Sequence, residues 1–122
     1  MKFARYTFYA AGIYGLIALL PQYFLEEKNN RDFPPAITHP EFFYGFIGVA
    51  LAFQIVFLII ARNPVRYRAL MIGAMLEKFP FVIAVYWLYA AGRVHSLMVG
   101  LATVDLILGI LFVISYLKTP KE

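Results

Sequence analysis

The chain has 122 residues, of which 62% are hydrophobic and 15% charged; eleven basic residues against seven acidic ones give a net charge of +4, and there is no cysteine. Soluble domains are nearer half apolar and a quarter charged, and a chain this short cannot hide so much apolar surface from water. That composition excludes a water-soluble globule, and the missing cysteine excludes disulfides, thiolate metal sites and cysteine nucleophiles.

Four apolar runs are predicted as spanning helices, each of roughly 20 residues, enough to cross a hydrocarbon core of about 30 Å. The first is Phe3–Tyr23. It lacks a distinct small-residue cleavage site, and its apolar stretch is longer than the core of a signal peptide, so it reads as a retained helix. The connection EEKNNRDFPPAITHP, residues 26–40, follows. It is too polar to enter the membrane, and Pro34, Pro35 and Pro40 are expected to keep it extended or turned. A loop of that length is commonly mobile or a lid. His39 and Glu41 match no metal-site spacing, and Pro40 with Glu41 suits the first turn of a helix; no metal or other cofactor is expected.

The second span is Phe42–Ala61, the third Ala69–Ala91 and the fourth Leu97–Leu117. Short turns at Asn63-Pro64 and Gly92-Arg93 make successive helices antiparallel neighbours. The expected fold is therefore all-α, one membrane domain over residues 1–122, built as an antiparallel four-helix bundle. Small residues recur four apart (Ala11 and Gly15, Gly48 and Ala52, Ala69 and Gly73), a spacing that lets helix backbones approach in lipid.

Lys2, Arg5, Arg62, Arg66, Arg68, Lys118 and Lys121 flank one set of span ends, against Lys28, Arg31 and Arg93 at the other. Seven against three favours cytoplasmic termini, in the inner membrane if the cell is bacterial. The turn RNPVRYR is expected to meet anionic lipid headgroups rather than nucleic acid. Many aromatic residues fall at span ends, where interface anchoring is their default role. Tyr86-Trp87 is the place to look for an aromatic ligand wall.

The third span holds the chain's most unusual feature, AMLEKFPFV, with Glu77 and Lys78 adjacent and just before Pro80. An unpaired charge at the centre of a span costs roughly 2.5–3.5 kcal/mol on insertion scales, so each needs a partner. Counted from the end that carries the termini at about 1.5 Å per residue, Glu77 lies about 12 Å deep, Lys78 about 14 Å, Gln54 about 11 Å and Asp105 about 18 Å. Lys78 is expected to reach Asp105, and Glu77 to bond Gln54. Ala69, Gly73 and Glu77 step by four, so that small face, Glu77 included, should turn inward, and Glu77 and Lys78, about 100° apart, should not face each other. Pro80 has no N–H for the Leu76 carbonyl. Two readings of the cluster stand. In one the polar pairs tie the bundle together. In the other Gln54, Glu77, Lys78 and Asp105, walled by Tyr86 or Trp87, form an intramembrane pocket for a hydrophobic or amphipathic molecule, or place Glu77 as the acid or base of a proton-transfer enzyme. A structural subunit, binding copies of itself or another membrane protein through its small-residue faces, is the third class of function. No nucleophile–base arrangement or phosphate-cradling glycine loop is present.

GIYGLIALLP, EFFYGFIGVALAFQ, ARNPVRYR and DLILGILF, spread over most of the chain, resemble the DoxX-like small bacterial membrane proteins, which implies a helical bundle. The segment PEFFYGFIGVALAFQIVFLIIA is similar to the second span of the EXPERA group, the sterol-isomerase-like and sigma-2-receptor-like proteins. In that group an E-x-x-x-Q pair lines the ligand cavity. Gln54 matches its glutamine, whereas Ala50 stands at the acid position, so Glu77 would have to supply the acid from another helix.

Overall fold

A computed structural model describes residues 2–122. Four long helices carry the apolar runs: α1, Lys2–Leu19, extended by a 3₁₀ turn, Leu20–Phe24; α3, Pro40–Arg62; α4, Leu70–Ala90; and α5, Ser96–Lys118. Each is long and apolar enough to cross a membrane, and no strand occurs among the described residues. The fold is the expected all-α, four-helix antiparallel bundle.

The polar connection departs from expectation. Glu26–Asp32 forms a short helix, α2. Glu26 and Glu27 sit in its first turn and Arg31 in its last, both favourable to the helix dipole, and Lys28 pairs with Asp32 one turn on. The prolines act only beyond residue 33, so they end this helix and do not prevent it. Cross-links tie it down: Tyr44 Oη donates to Glu26 Oε1 at 2.9 Å, Asn29 Nδ2 to Gln22 Oε1 at 3.2 Å, and the Ile37 N–H to Asn30 Oδ1 at 2.7 Å. Phe33 meets the His95 ring edge-on at 5.0 Å.

Local chemistry sets the helix ends. Pro40 occupies the first turn of α3. α4 ends on Gly92 at φ +72°, with its N–H bonded to the Tyr89 carbonyl and the Arg93 N–H to the Leu88 carbonyl; only glycine takes that backbone angle freely. His95 caps α5 by accepting the Leu97 N–H on Nδ1 at 3.0 Å.

In ring order the helices run α1, α3, α4, α5. α1 lies along α3 and α5, α4 lies along α5, and the α3–α4 seam is the loosest. Close approach of α1 and α3 depends on glycine: a Cβ on Gly12 would fall 2.7 Å from Leu58 Cδ2, and one on Gly15 would overlap Gln54 Oε1. On the far side, a Cβ on Gly109 would lie 2.9 Å from the Phe79 ring. The apolar core sits toward the end that carries the termini. There Phe8 and Phe112 stack at 4.3 Å and Phe57 meets both edge-on, at 6.0 and 5.0 Å, joining three helices through contacts worth about 0.5–1.5 kcal/mol each beyond area burial. Ala4, Ala11, Ile60, Ala61, Met71 and Ala74 close around them. At the same end Arg68 donates from Nε to the Tyr116 and Thr119 carbonyls, at 3.1 and 2.8 Å, and lies 3.8 Å over the Tyr116 ring. It thereby satisfies two carbonyls at the C-terminal end of α5 with a single nitrogen.

Candidate functional site: a buried charged triad beside an open groove

The buried face of α4 is Met71, Ala74, Lys78, Val82 and Val85, a 3–4 spacing that puts the lysine, not the glutamate, on the inward stripe. The expected face through Ala69, Gly73 and Glu77 is turned about one position away: Ala69 is exposed and Gly73 has open space where a Cβ would be. Gly73 therefore creates room here, whereas Gly12 and Gly15 bring backbones together.

Lys78 is buried, with its side chain only 4% exposed. Its Nζ donates to Asp105 Oδ1 of α5 at 3.2 Å, as expected from depth. The same Nζ lies 3.1 Å from Glu77 Oε1, although the two residues are sequence neighbours. The 100° between them separates their Cα–Cβ directions, but the four-carbon lysine stem and the glutamate arm are long enough to close that angle. The expectation that they would not face each other is thereby corrected. Phe57 roofs the ammonium at 5.4 Å from its ring centroid.

Gln54 does not join this group. Its Nε2 bonds back to the Ala50 carbonyl one turn earlier, at 2.7 Å, and its Oε1 is buried against Gly15 with no hydrogen-bond partner. The expected Glu77–Gln54 bond is absent because Gln54 faces α1 and Glu77 faces the seam between α3 and α4. Tyr86 is spent on Thr103 of α5, Oη to Oγ1 at 2.8 Å, and Trp87 is 76% exposed on the outside of the bundle. Neither walls the charged cluster.

The wall is instead supplied by residues that composition and spacing did not single out. Phe46, Val49, Ala50 and Phe53 of α3 face Gly73, Leu76 and Glu77 of α4 across a groove of about 380 Å³. On α3 these four fall at i, i+3, i+4 and i+7, one helical stripe that was legible in the sequence; what was not legible is that the seam against α4 stays partly open along it. Phe46, Val49 and Leu76 are largely exposed, so the groove opens sideways at the bundle's perimeter. Glu77 is its one ionisable group. The carboxylate is 15% exposed, and its Oε1 has the Lys78 ion pair but no hydrogen bond of acceptable geometry. Pro80 has no N–H to offer the Leu76 carbonyl beside the groove.

His39 and Glu41 remain at the outer end, with Nδ1 3.4 Å from Oε1 and both side chains well exposed. No group of three His, Cys, Asp or Glu side chains able to hold a metal occurs among the described residues.

Four antiparallel apolar helices around a buried ionic triad define an integral membrane protein. Comparison with known proteins takes the matter no further: no family model, curated protein or solved structure matches the chain.

Proposed function

We propose that the α3–α4 groove binds an amphipathic small molecule that enters sideways from the bilayer. The observation that carries this reading is Glu77, the one ionisable side chain on the wall of an otherwise apolar, laterally open groove, with its Oε1 paired to Lys78 Nζ at 3.1 Å and its side chain still 15% exposed. A ligand hydroxyl or ammonium in the groove would add a hydrogen bond to this carboxylate beside the Lys78 ion pair, and hydrogen bonds to charged groups contribute about 1.5–3 kcal/mol. A volume of about 380 Å³ is within the range of small-molecule sites, and apolar walls with one well-placed polar group are their usual make-up. Phe46, Phe53 and Leu76 would hold the apolar body and Glu77 the polar head, while Lys78, itself held by Asp105, keeps the glutamate in place. The excess of basic residues at the end that carries the termini supports a cytoplasmic location for both, in the inner membrane if the cell is bacterial.

The test is native mass spectrometry of the protein extracted in mild detergent, comparing wild type with Glu77→Gln, which keeps the side chain's shape. A small molecule bound to wild type and lost in the variant is the expected result. Equal retention by both, or bare and equally stable protein in both samples, refutes the reading and leaves the triad as a structural tie.

A further inference from the structure

A second, open concavity lies at the opposite end of α3 from the polar connection, where Ile59, Arg62, Asn63 and Tyr67 border about 550 Å³. We propose that it is a seat for one anionic phospholipid, with the headgroup phosphate on Arg62 and the start of an acyl chain on Ile59.

Three independent features converge there. The first is uncompensated charge. The chain carries no Asp or Glu before Glu26, none from Phe42 to Leu76 and none from Leu106 to Lys121. The end of the bundle formed by those segments therefore presents Lys2, Arg5, Arg62, Arg66, Arg68, Lys118 and Lys121 with only Glu122 to oppose them. The second is which of these cations remain free. Arg68 gives its Nε to the carbonyls of α5, and Lys118 lies 4.8 Å over the Phe3 ring. Arg62 makes no hydrogen bond or ion pair among the described residues, and it alone of the seven lines the concavity. A guanidinium presents its donors in a fork that fits phosphate oxygens two at a time.

The third feature is the polarity of the remaining lining. Asn63 accepts the Arg66 N–H on Oδ1 at 3.2 Å, which leaves its Nδ2 amide as a donor. Tyr67 adds a phenol, with the Arg66 guanidinium 5.8 Å from its ring. One helical turn deeper, Ile59 is 40% exposed and supplies an apolar floor. Donors at the rim over an apolar floor match a diacyl lipid, whereas a free anion would use the rim alone. This seat is separate from the Glu77 groove: Ile59 is six residues from Phe53, about 240° round α3, so the two openings face different ways.

The experiment is native mass spectrometry of full-length protein released from nanodiscs of mixed phosphatidylglycerol and phosphatidylcholine. Wild type, Arg62→Ala and, as a control for general charge, Lys121→Ala are compared, with circular dichroism confirming equal helix content. Wild type and Lys121→Ala are expected to retain one phosphatidylglycerol in preference to phosphatidylcholine, and Arg62→Ala to lose that preference by tenfold or more. Added inorganic phosphate at millimolar concentration should not displace the lipid. Equal retention of both lipids by wild type, or equal losses in Arg62→Ala and Lys121→Ala, would mean a diffuse basic surface and overturn the seat. Displacement by inorganic phosphate would make it a bare anion site and overturn the lipid assignment. Glu77→Gln leaves this result unchanged, so its outcome stands apart from that of the groove.

Discussion

Lys78 holds two carboxylates, and removing it is the sharpest perturbation the bundle allows. At 3.1 and 3.2 Å and an effective dielectric of about 20, each attraction amounts to about 5 kcal/mol in gross terms. Against that stand the mutual repulsion of Glu77 and Asp105 and a desolvation penalty of several kcal/mol for each ion. Lys78→Met keeps the stem's length and apolar bulk but discards both attractions, leaving two carboxylates, 15% and 20% exposed, with no cation between them. Breaking a buried pair in this way costs about 3–5 kcal/mol, or two to three and a half powers of ten in the unfolding equilibrium. The triple variant Glu77→Gln, Lys78→Met, Asp105→Asn removes the whole ionic set and should recover most of the loss, because replacing all buried charges together is often neutral or stabilising. Unfolding in mixed micelles with increasing sodium dodecyl sulfate, followed by far-ultraviolet circular dichroism, reads both values. A Lys78→Met protein as stable as wild type would show that the triad holds nothing. A triple variant no better than the single one would show that the loss comes from the ammonium's contact with the Phe57 ring, 5.4 Å away, rather than from the two carboxylates.

Glycine is used in two opposite ways, and substitution should separate them. Gly15→Ala places a methyl on Gln54 Oε1 and is expected to destabilise by about 1–3 kcal/mol, the usual range for overpacking, with part of the loss recovered when Gln54→Ala is added. Gly73→Ala meets nothing within 4 Å and should be neutral or slightly stabilising in the same assay, since alanine is the better helix former; an equal loss at both positions would contradict the packing described. Topology is read by single cysteines in a background that has none. Asn29→Cys and Asn63→Cys should react with a membrane-impermeant maleimide from opposite faces of the membrane, Asn63→Cys from the cytoplasmic one, and labelling from one face only would remove the four-span arrangement.

The bundle itself was legible because in a membrane the controlling variables are run length and apolarity, and these are properties of sequence. Lys78–Asp105 was legible for a related reason: depth along a helix is counted residue by residue, and two opposite charges at similar depth on adjacent antiparallel helices have few other partners. Rotation about the helix axis was not. The structure turns α4 by about 100°, one residue, from the face through Ala69, Gly73 and Glu77, which takes Glu77 from the core to the groove. α4 is apolar nearly all the way round, so its pattern carries little information about which side faces its neighbours. Gln54 was misassigned for the same cause, since depth placed it beside Glu77 but rotation turns it to Gly15. The short helix α2 was hidden by prolines that all lie beyond it.

The asymmetry of the ring explains why an open groove sits at the α3–α4 seam beside the triad. Between α1 and α3, Gly12 and Gly15 remove the side chains that would hold the helices apart, and Leu58 and Gln54 fill the space. Between α4 and α5, Gly109 does the same for Phe79, and the Lys78–Asp105 bond adds a polar tie. At the α3–α4 seam the glycine is Gly73, whose Cβ position meets nothing within 4 Å; Phe46 meets Phe81 of α4 at 6.0 Å between ring centroids and Phe53 stands on the groove wall, and the groove stays open between them. In a bilayer such a gap is occupied by whatever apolar molecule reaches it, because lipid tails and side chains are equivalent solvents for its walls. What distinguishes this gap from an ordinary lipid-facing crevice is Glu77. A carboxylate exposed to hydrocarbon is costly enough that a neutral residue would serve the bundle better, unless the charge is needed where it is. Lys78 already has Asp105, so the second carboxylate is more than the lysine requires, and it is the one that faces the groove.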